Sequence, residues 1–306
     1  MTAVPGAHAA ALSGKLTVRH AGSLTPMCAE VHTLFRSMYP QVETVDIGGG
    51  GVAMARDLAL GKECDIYTSV DYSNIPNLLI PDFDDWYVIF AATGFVLRYT
   101  DKSKYADEIY SNNWIEIIQS DDVSFWRSNP EGDPAGYRTL MVLQLAEKHY
   151  GIPGLYERMA AKSGERFLTA ETVGCRDSGY SFSYSSHLGG GSAIHLPDRI
   201  NLSNDAFADY YAQANVTIPS LRPGAMVRMK GERIRIGLTI PKACTNVDAA
   251  VAWVQLVLSS RGAALIEKVG KLPLTPVFGG DISRVPAEIR ELVEQSRANK
   301  EQYVSA

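Results

Sequence analysis

The sequence has few cysteines, no long hydrophobic run and no cluster of basic residues, and each shortage excludes a class of protein. The four cysteines, Cys28, Cys64, Cys175 and Cys244, are isolated and lack the paired spacings of a metal or redox motif, so buried thiols are expected. No apolar run approaches the roughly 18 residues that span a bilayer. With 29 basic and 34 acidic residues, a net charge of −5 and a pI near 5.7, the chain has no electrostatic footprint for nucleic acid.

The length and composition fit a protein of two globular lobes. A chain of 306 residues is too long for one small core, and its 46% apolar and 21% charged residues are ordinary globular values. We predict a flexible leader at residues 1–14, a discontinuous first lobe at residues 15–93 plus 240–306, and a second lobe at residues 94–239. The leader lacks the basic start and apolar stretch of a signal peptide. It is either what remains after a secretion signal was cut off or a disordered cytoplasmic start.

The first part of the chain alternates predicted strands and helices. The predicted strands cover residues 15–19, 43–47 and 65–68. Between them, one helix begins near Thr25, with Pro26 in its first turn, and a second helical stretch ends near Gly61. This order predicts an α/β fold with parallel strands, in which ligands bind beyond the carboxyl ends of the strands.

The rest of the chain predicts two crossings between the lobes. Residues 86–99 are almost continuously apolar or aromatic and are predicted to form one buried strand that passes from the first lobe to the second. Further strands are predicted at residues 180–186 and 233–240. Helices are predicted at residues 137–150, twice between 246 and 270, and from Pro286 onward. The chain is predicted to return to the first lobe near Arg235, so the first lobe is built from two separate parts of the sequence.

Three turns after the predicted strands carry hydrogen-bond donors for an anion. Ser23 precedes a helix N-terminus, where backbone amides and the helix dipole favour negative charge. Gly50 and Gly51 repeat this position before the second helix, and Ser69 follows the third strand. Taken singly, a capping serine and a tight glycine turn explain these residues equally well. Together they predict one crevice of neutral donors, which suits a dehydrated oxyanion in a closing cleft.

Eight segments in order resemble the molybdate- and tungstate-binding proteins of ABC importers, particularly their archaeal-type branch. The resemblance extends from about Lys15 to Pro276. The segments are residues 21–24 (AGSL), 68–72 (TSVDY), 85–87 (DWY), 113–114 (NW), 129–138 (NPEGDPAGYR), 184–186 (YSS), 196–203 (LPDRINLS) and 237–241 (GLTIP).

The resemblance implies a type II periplasmic-binding fold. In that fold two lobes, each a mostly parallel sheet flanked by helices, close on the anion in the cleft between them. It also implies a periplasmic or cell-surface protein, a monomer that delivers its ligand to an ABC permease in the membrane. Neither a catalytic residue nor a cofactor is expected, because the ligand itself is the molybdate or tungstate anion.

The resemblance assigns ligand-binding positions residue by residue. The matching residues are Ser23, Ser69, Asp133, Ala135, Glu171 and Tyr184. Asp133 matches a carboxylate that reaches the metal centre of the bound oxyanion, and Tyr184 matches an aromatic residue that lines the pocket. Glu171 aligns with a second metal-reaching carboxylate only if the preceding helix is shortened. Two carboxylates beside a dianion repel it strongly unless they bond to the electron-poor metal or one is protonated. As an alternative, Asp133 is a helix cap followed by Pro134.

Three departures from the family leave the identity of the ligand open. The second anion turn has Gly50 and Gly51 where the family commonly has a serine, so backbone amides must replace a hydroxyl. The segment between residues 150 and 171 is short, and residues 185–192 are polar and flexible where the family is usually helical. Sulfate, phosphate and a small organic anion therefore remain alternative ligands. For the organic anion, Arg138 is the expected partner of the ligand's carboxylate.

Two other classes of protein are alternatives to the capture protein of an importer. The first is a soluble anion sensor that uses the same cleft. Such regulators usually carry a helix-turn-helix, and the sequence before Lys15 has no room for one. An enzyme needs an activated group, and Cys28 on the first helix is the only thiol near the predicted cleft. Three of the histidines, His149, His187 and His195, are scattered without an i, i+4 partner for a metal.

Overall fold

A six-stranded sheet forms the larger layer of the computed structural model, which describes residues 12–164, 178–188 and 190–304. Its strands are β1 (Gly14–Ala21), β2 (Val42–Gly49), β3 (Ile66–Ser69), β4 (Trp86–Ala92), β10 (Arg235–Thr239) and β11 (Leu272–Gly280). Their order is β11-β4-β10-β3-β1-β2. β1 pairs in parallel with both β2 and β3, which confirms the predicted parallel start. β10 is antiparallel to β3 and β4, and β11 is antiparallel to β4.

A three-stranded sheet and a two-stranded hairpin lie in the middle of the chain. The strands are β5 (Phe95–Tyr99), β6 (Ser181–Tyr184), β7 (Ser192–His195), β8 (Asn215–Pro219) and β9 (Met226–Lys230). The mixed α/β class is confirmed. The three-stranded sheet was expected to be mostly parallel, and this was wrong: β5 pairs antiparallel with both β6 and β7. β6 and β7 lie on the two sides of β5, and both run opposite to it.

Residues 86–99 form two strands in different sheets rather than the single strand that was predicted. β4 ends at Ala92 and β5 begins at Phe95. Between them, Thr93 N donates to the carbonyl of Ile234 at 3.2 Å, beside the point where the chain returns to the larger sheet. Gly94 marks the break, because a Cβ there would lie 2.7 Å from Cβ of Ser203. The chain thus leaves the six-stranded sheet after residue 92 and rejoins it at residue 235; its division into two lobes stays a prediction.

Helices cover both sheets. They are α1 (Thr25–Met38), α2 (Gly51–Ala59), α3 (Trp114–Gln119), α4 (Pro134–Tyr150), α5 (Leu155–Gly164), α6 (Ala208–Tyr211), α7 (Val247–Leu258), α8 (Ser260–Lys268) and α9 (Ala287–Val304). α1 begins at the predicted residue with Pro26 in its first turn, and α4 starts at a proline capped by Asp133. Within the described residues no single helix meets the length and hydropathy of a membrane span, although α7 and α8 together, bent by 68°, do.

Candidate functional site

Three turns meet at the carboxyl ends of β1, β2 and β3, as the alternating pattern predicted. Ser23 lies in a short 3₁₀ turn after β1, Gly50 and Gly51 begin α2 after β2, and Ser69 ends β3. Since β1 pairs with both β2 and β3, these turns are neighbours in space. A Cβ on Gly22 would lie 3.6 Å from the carbonyl oxygen of Gly49, so the first two turns are in van der Waals contact.

The glycine turn has no room for the serine that the family places there. A Cβ on Gly50 would lie 2.2 Å from the carbonyl oxygen of Gly132. On Gly51 it would lie 2.9 Å from Ser69 Oγ and 3.2 Å from Pro134 Cδ. The loop before α4 therefore fills the space of a side chain, and the absence of a hydroxyl in this turn has a steric cause.

Asp133 caps α4 and also lies against the glycine turn. Its Oδ1 accepts a hydrogen bond from Ala135 N at 2.9 Å, so the capping role holds, and the amide of Ala135 is engaged by that cap. A Cβ on Gly50 would be 3.2 Å from the Asp133 Cβ, and Ala53 N donates to the carbonyl of Gly132 at 2.9 Å. The start of α4 is thereby held against the start of α2.

Two hydroxyl groups of the predicted site are buried without a hydrogen-bond partner among the described residues. They are Ser23 Oγ and Tyr184 Oη. Tyr184 ends β6, is 4% exposed and packs its ring on Phe95 with centroids 4.8 Å apart. Burial raises the pKa of its hydroxyl well above the ordinary value, and the nearby carboxylates of Asp133 and Asp71 raise it further. The group therefore stays protonated and is available as a donor.

Ser69, at the end of β3, is already hydrogen-bonded within the protein. Its Oγ accepts from Asp71 N and from Asn74 Nδ2, both at 3.2 Å. The Tyr67 hydroxyl is a further hydrogen-bond partner of the Ser69 side chain, so the Ser69 proton has an acceptor nearby. Ser23 and Tyr184 are therefore the two hydroxyls of the predicted site without a partner among the described residues, and an oxyanion offers them an acceptor that an apolar ligand does not.

A buried ion pair ties the segment after β3 to α4. Arg138 Nε donates to Asp71 Oδ2 at 2.7 Å, and the two side chains are 1% and 0% exposed. Burial alone would raise the pKa of Asp71, but the charge and hydrogen bond of Arg138 hold it below its usual value. Arg138 also donates to the carbonyls of Lys230 and Glu232 at 3.3 Å. These bonds give Arg138 a structural place and leave the organic-acid alternative without its expected cation.

Lys271, which was not predicted from the sequence, lies beside the Ser23 turn. It is 3% exposed, and its Nζ donates to the carbonyl of Ser23 at 3.2 Å and to Ser186 Oγ at 3.0 Å. Burial lowers its pKa to about 8. Lys271 begins the segment that leads into β11 and Ser186 follows β6, so one ammonium group joins the two sheets near the hydroxyl donors. No local pattern marks this lysine, because its environment comes from residues distant in sequence.

Two expectations about carboxylate and thiol chemistry have different outcomes. Glu171 lies outside the described residues, as does Cys175. Cys28 is fully buried, and burial raises the pKa of its thiol well above the ordinary value, which is the opposite of an activated nucleophile.

The structure has two helix-flanked sheets, with Ser23 in a turn of the larger sheet and Tyr184 on a strand of the smaller one. The chain belongs to the bacterial extracellular solute-binding proteins, whose family model matches residues 16–270. Membership of this family identifies it as an extracytoplasmic binding protein and not an enzyme.

Similarity to individual proteins agrees with this family. An uncharacterised solute-binding protein of Petrotoga mobilis is 34% identical over 294 residues, covering 92% of this chain and 91% of that protein. A molybdate/tungstate-binding protein of Pyrococcus abyssi is 32% identical over 320 residues, with 92% and 90% covered. The resemblance stated from the sequence is thereby confirmed.

Solved structures confirm the fold. The periplasmic molybdate-binding protein of Azotobacter vinelandii superposes with a TM-score of 0.56 at 15% identity, covering 84% of this chain and 98% of that one. The sulfate-binding protein SubI of Mycobacterium tuberculosis superposes with a TM-score of 0.58 at 12% identity, covering 92% and 91%.

Proposed function

We propose that this protein captures a tetrahedral oxyanion, molybdate or tungstate, and delivers it to an ABC permease from the periplasm or the cell surface. The observation that carries the proposal is the pair of buried hydroxyls, Ser23 Oγ after β1 and Tyr184 Oη at the end of β6, that have no hydrogen-bond partner in the described part of the chain. A buried hydroxyl without a partner costs about 1–3 kcal/mol. A ligand that accepts a hydrogen bond from both hydroxyls removes that cost, which favours binding of an acceptor.

The chemistry of the remaining donors suits a dehydrated dianion. Ser69 lies at the end of β3, the first amides of α2 at the glycine turn lie outside the helix's own hydrogen bonds, and Lys271 adds one positive charge behind Ser23. Hydrogen bonds to a charged acceptor contribute more than neutral ones, about 1.5–3 kcal/mol each. Several such bonds at fixed positions recognise a tetrahedral shape, and the fold supplies them without a dedicated arginine.

Asp133 is the residue proposed to separate molybdate and tungstate from sulfate. One of its oxygens caps α4, and its carboxylate lies at the junction of the glycine turn and α4. A carboxylate beside a dianion is repulsive unless it bonds to the central atom, and the large, electron-poor Mo or W accepts such a bond, whereas sulfur in sulfate does not. Glu171 is proposed as the second such carboxylate. Similarity to the molybdate/tungstate-binding protein of Pyrococcus abyssi supports this choice of ligand.

Binding is proposed to stabilise a closed arrangement of the two lobes. Lys271 contacts Ser186, and Arg138 pairs with Asp71, so contacts already join the segments that contribute to the site. A ligand that bonds to Ser23 on one side and Tyr184 on the other adds contacts that exist only in the closed form. Its binding free energy therefore shifts the population toward that form.

Isothermal titration with molybdate, tungstate, sulfate and phosphate tests the proposal. Wild-type protein should bind the first two tightly and the others weakly or not at all. Asp133→Asn keeps the cap, since asparagine also accepts from the helix amide, but loses the anionic oxygen. It should therefore weaken molybdate and tungstate far more than sulfate. Equal losses for all three anions would refute direct coordination, and preferential binding of sulfate or phosphate by wild type would replace the proposed ligand.

A further inference from the structure

A thiol, an imidazole and a carboxylate come together where β1, β2 and α1 meet. The ligand atoms of His20, Cys28 and Asp46 all lie within 4.8 Å of one another. His20 and Cys28 are 1% and 0% exposed, whereas the Asp46 side chain is 38% exposed. The three residues come from three different elements, so the sequence spacing that reveals a metal motif is absent. None of them belongs to the proposed oxyanion site.

The imidazole of His20 is oriented as a ligand. Its Nδ1 lies 2.9 Å from the carbonyl oxygen of Ala21, and since a carbonyl can only accept, Nδ1 carries a proton. In the neutral ring Nε2 then has its lone pair free, and this atom lies 3.5 Å from Asp46 Oδ1. Gly48 makes room for the ring, because a Cβ there would lie 2.8 Å from His20 Cε1. A backbone carbonyl that fixes the tautomer is the usual support for a metal-binding histidine.

The carboxylate of Asp46 is oriented in the same way. His32 Nδ1 lies 2.8 Å from Asp46 Oδ2, which leaves Oδ1 directed at His20. His32 is 2% exposed, and its ring packs edge-on against Trp253 with centroids 5.9 Å apart. A buried histidine thus holds one carboxylate oxygen while the other faces the imidazole lone pair and the thiol. Two acceptors facing each other at this distance require a proton or a cation between them.

One distance within the cluster fits a tetrahedral metal ion closely. Bonds of about 2.0–2.1 Å from zinc to nitrogen and oxygen place those two ligand atoms about 3.3–3.4 Å apart. The observed separation of 3.5 Å between His20 Nε2 and Asp46 Oδ1 needs little adjustment, and it is long for a charge-assisted hydrogen bond. A sulfur, a nitrogen and an oxygen form a mixed set that suits Zn²⁺ and its spectroscopic substitute Co²⁺.

We propose that His20, Cys28 and Asp46 form a binding site for a divalent transition metal ion of the zinc type, with water at the fourth position beside the exposed carboxylate. The Cys28 thiol loses its proton to solvent when the metal–sulfur bond forms. Burial, and after it the nearby Asp46 carboxylate, raise the pKa of the Cys28 thiol, and the positive charge of a bound ion opposes both effects. His32 is a positioning residue that acts through Asp46.

Titration of untagged, chelator-treated protein with Co²⁺ alone tests the site. Wild type should develop the near-ultraviolet thiolate-to-cobalt band and intense visible bands of a tetrahedral ion, and Zn²⁺ should displace them. Cys28→Ser should remove the near-ultraviolet band, and Asp46→Asn should weaken Co²⁺ at least tenfold. His32→Phe should retain the band but weaken affinity about 10- to 100-fold.

Matched controls use two other thiols of the chain. Cys64→Ser and Cys244→Ser should each keep the thiolate band, because these two cysteines are separate from the cluster. Circular dichroism and melting in the absence of metal establish that each variant is folded. A folded wild type without the band, a folded Cys28→Ser that retains it, or its loss in a control variant would overturn the proposal. An unchanged affinity in His32→Phe would overturn the positioning role.

Discussion

Replacing Tyr184 by phenylalanine should move stability and affinity in opposite directions. The Tyr184 hydroxyl is buried and has no hydrogen-bond partner among the residues that the structure describes. Its removal relieves a desolvation cost of about 1–3 kcal/mol, so the ligand-free variant should be more stable. With ligand, the variant lacks one hydrogen bond to a charged acceptor, about 1.5–3 kcal/mol, so the dissociation constant should rise about 10- to 150-fold.

The measurements are thermal unfolding without ligand and isothermal titration with molybdate. For a chain of this size each kcal/mol shifts the melting temperature by about 2–4 °C, so the ligand-free variant should melt a few degrees higher. Tyr180→Phe is the matched control, because the Tyr180 hydroxyl donates to the carbonyl of Lys104 at 2.6 Å. That variant should lose stability by about 1 kcal/mol and keep its affinity. If Tyr184→Phe is destabilised and binds molybdate like wild type, the hydroxyl is structural and the assignment fails.

Two further predictions concern Lys271 and Gly50. An anion that accepts from Ser23 lies about 6–8 Å from Lys271 Nζ, where each unit charge contributes about 2 kcal/mol at an effective dielectric constant near 20. Since a bound dianion favours the protonated amine, affinity should be constant below pH 8 and fall as the pH rises through the Lys271 pKa of about 8. Lys271→Met should weaken binding at least tenfold and abolish this pH dependence, and an unchanged titration curve across pH 6–9 would contradict the role. Gly50→Ser introduces the hydroxyl that is common in the family, but its Cβ would lie 2.2 Å from the Gly132 carbonyl oxygen. This overpacking should weaken binding in titration by about 1–3 kcal/mol. Tighter binding would show that the loop before α4 can move to accommodate the side chain without a cost to affinity.

The first part of the fold could be predicted because the residues that determine each strand and helix there are close together in the sequence. α1 begins where Pro26 can occupy the first turn, and β1 to β3 alternate with helices at a spacing that only parallel pairing satisfies. The turns that carry Ser23, Gly50 and Ser69 were therefore placed correctly at one edge of the sheet. What those residues bind depends on ligand chemistry and stays a proposal.

Non-local pairing could not be predicted from the sequence. The apolar run that indicates β5 and the alternating residues 180–186 that indicate β6 are compatible with parallel and antiparallel partners alike, so their antiparallel pairing had no local sign. Residues 86–99 are almost continuously apolar or aromatic, although the chain changes sheets between Ala92 and Phe95, where Gly94 lies too close to Ser203 for a side chain. Lys271 and the cluster of His20, Cys28 and Asp46 acquire their surroundings from elements far apart in the chain.

The two places where the chain passes between the sheets lie side by side. Thr93 N bonds to the carbonyl of Ile234, and β4 continues beside β10 from there. Two adjacent chain segments between the sheets restrict sliding and twisting of one sheet against the other more than they restrict rotation about the line through residues 93 and 234. The angle of that rotation therefore describes most of the relative motion of the sheets that the covalent chain permits. Distance probes placed far from residues 93 and 234 will register this angle with the greatest sensitivity.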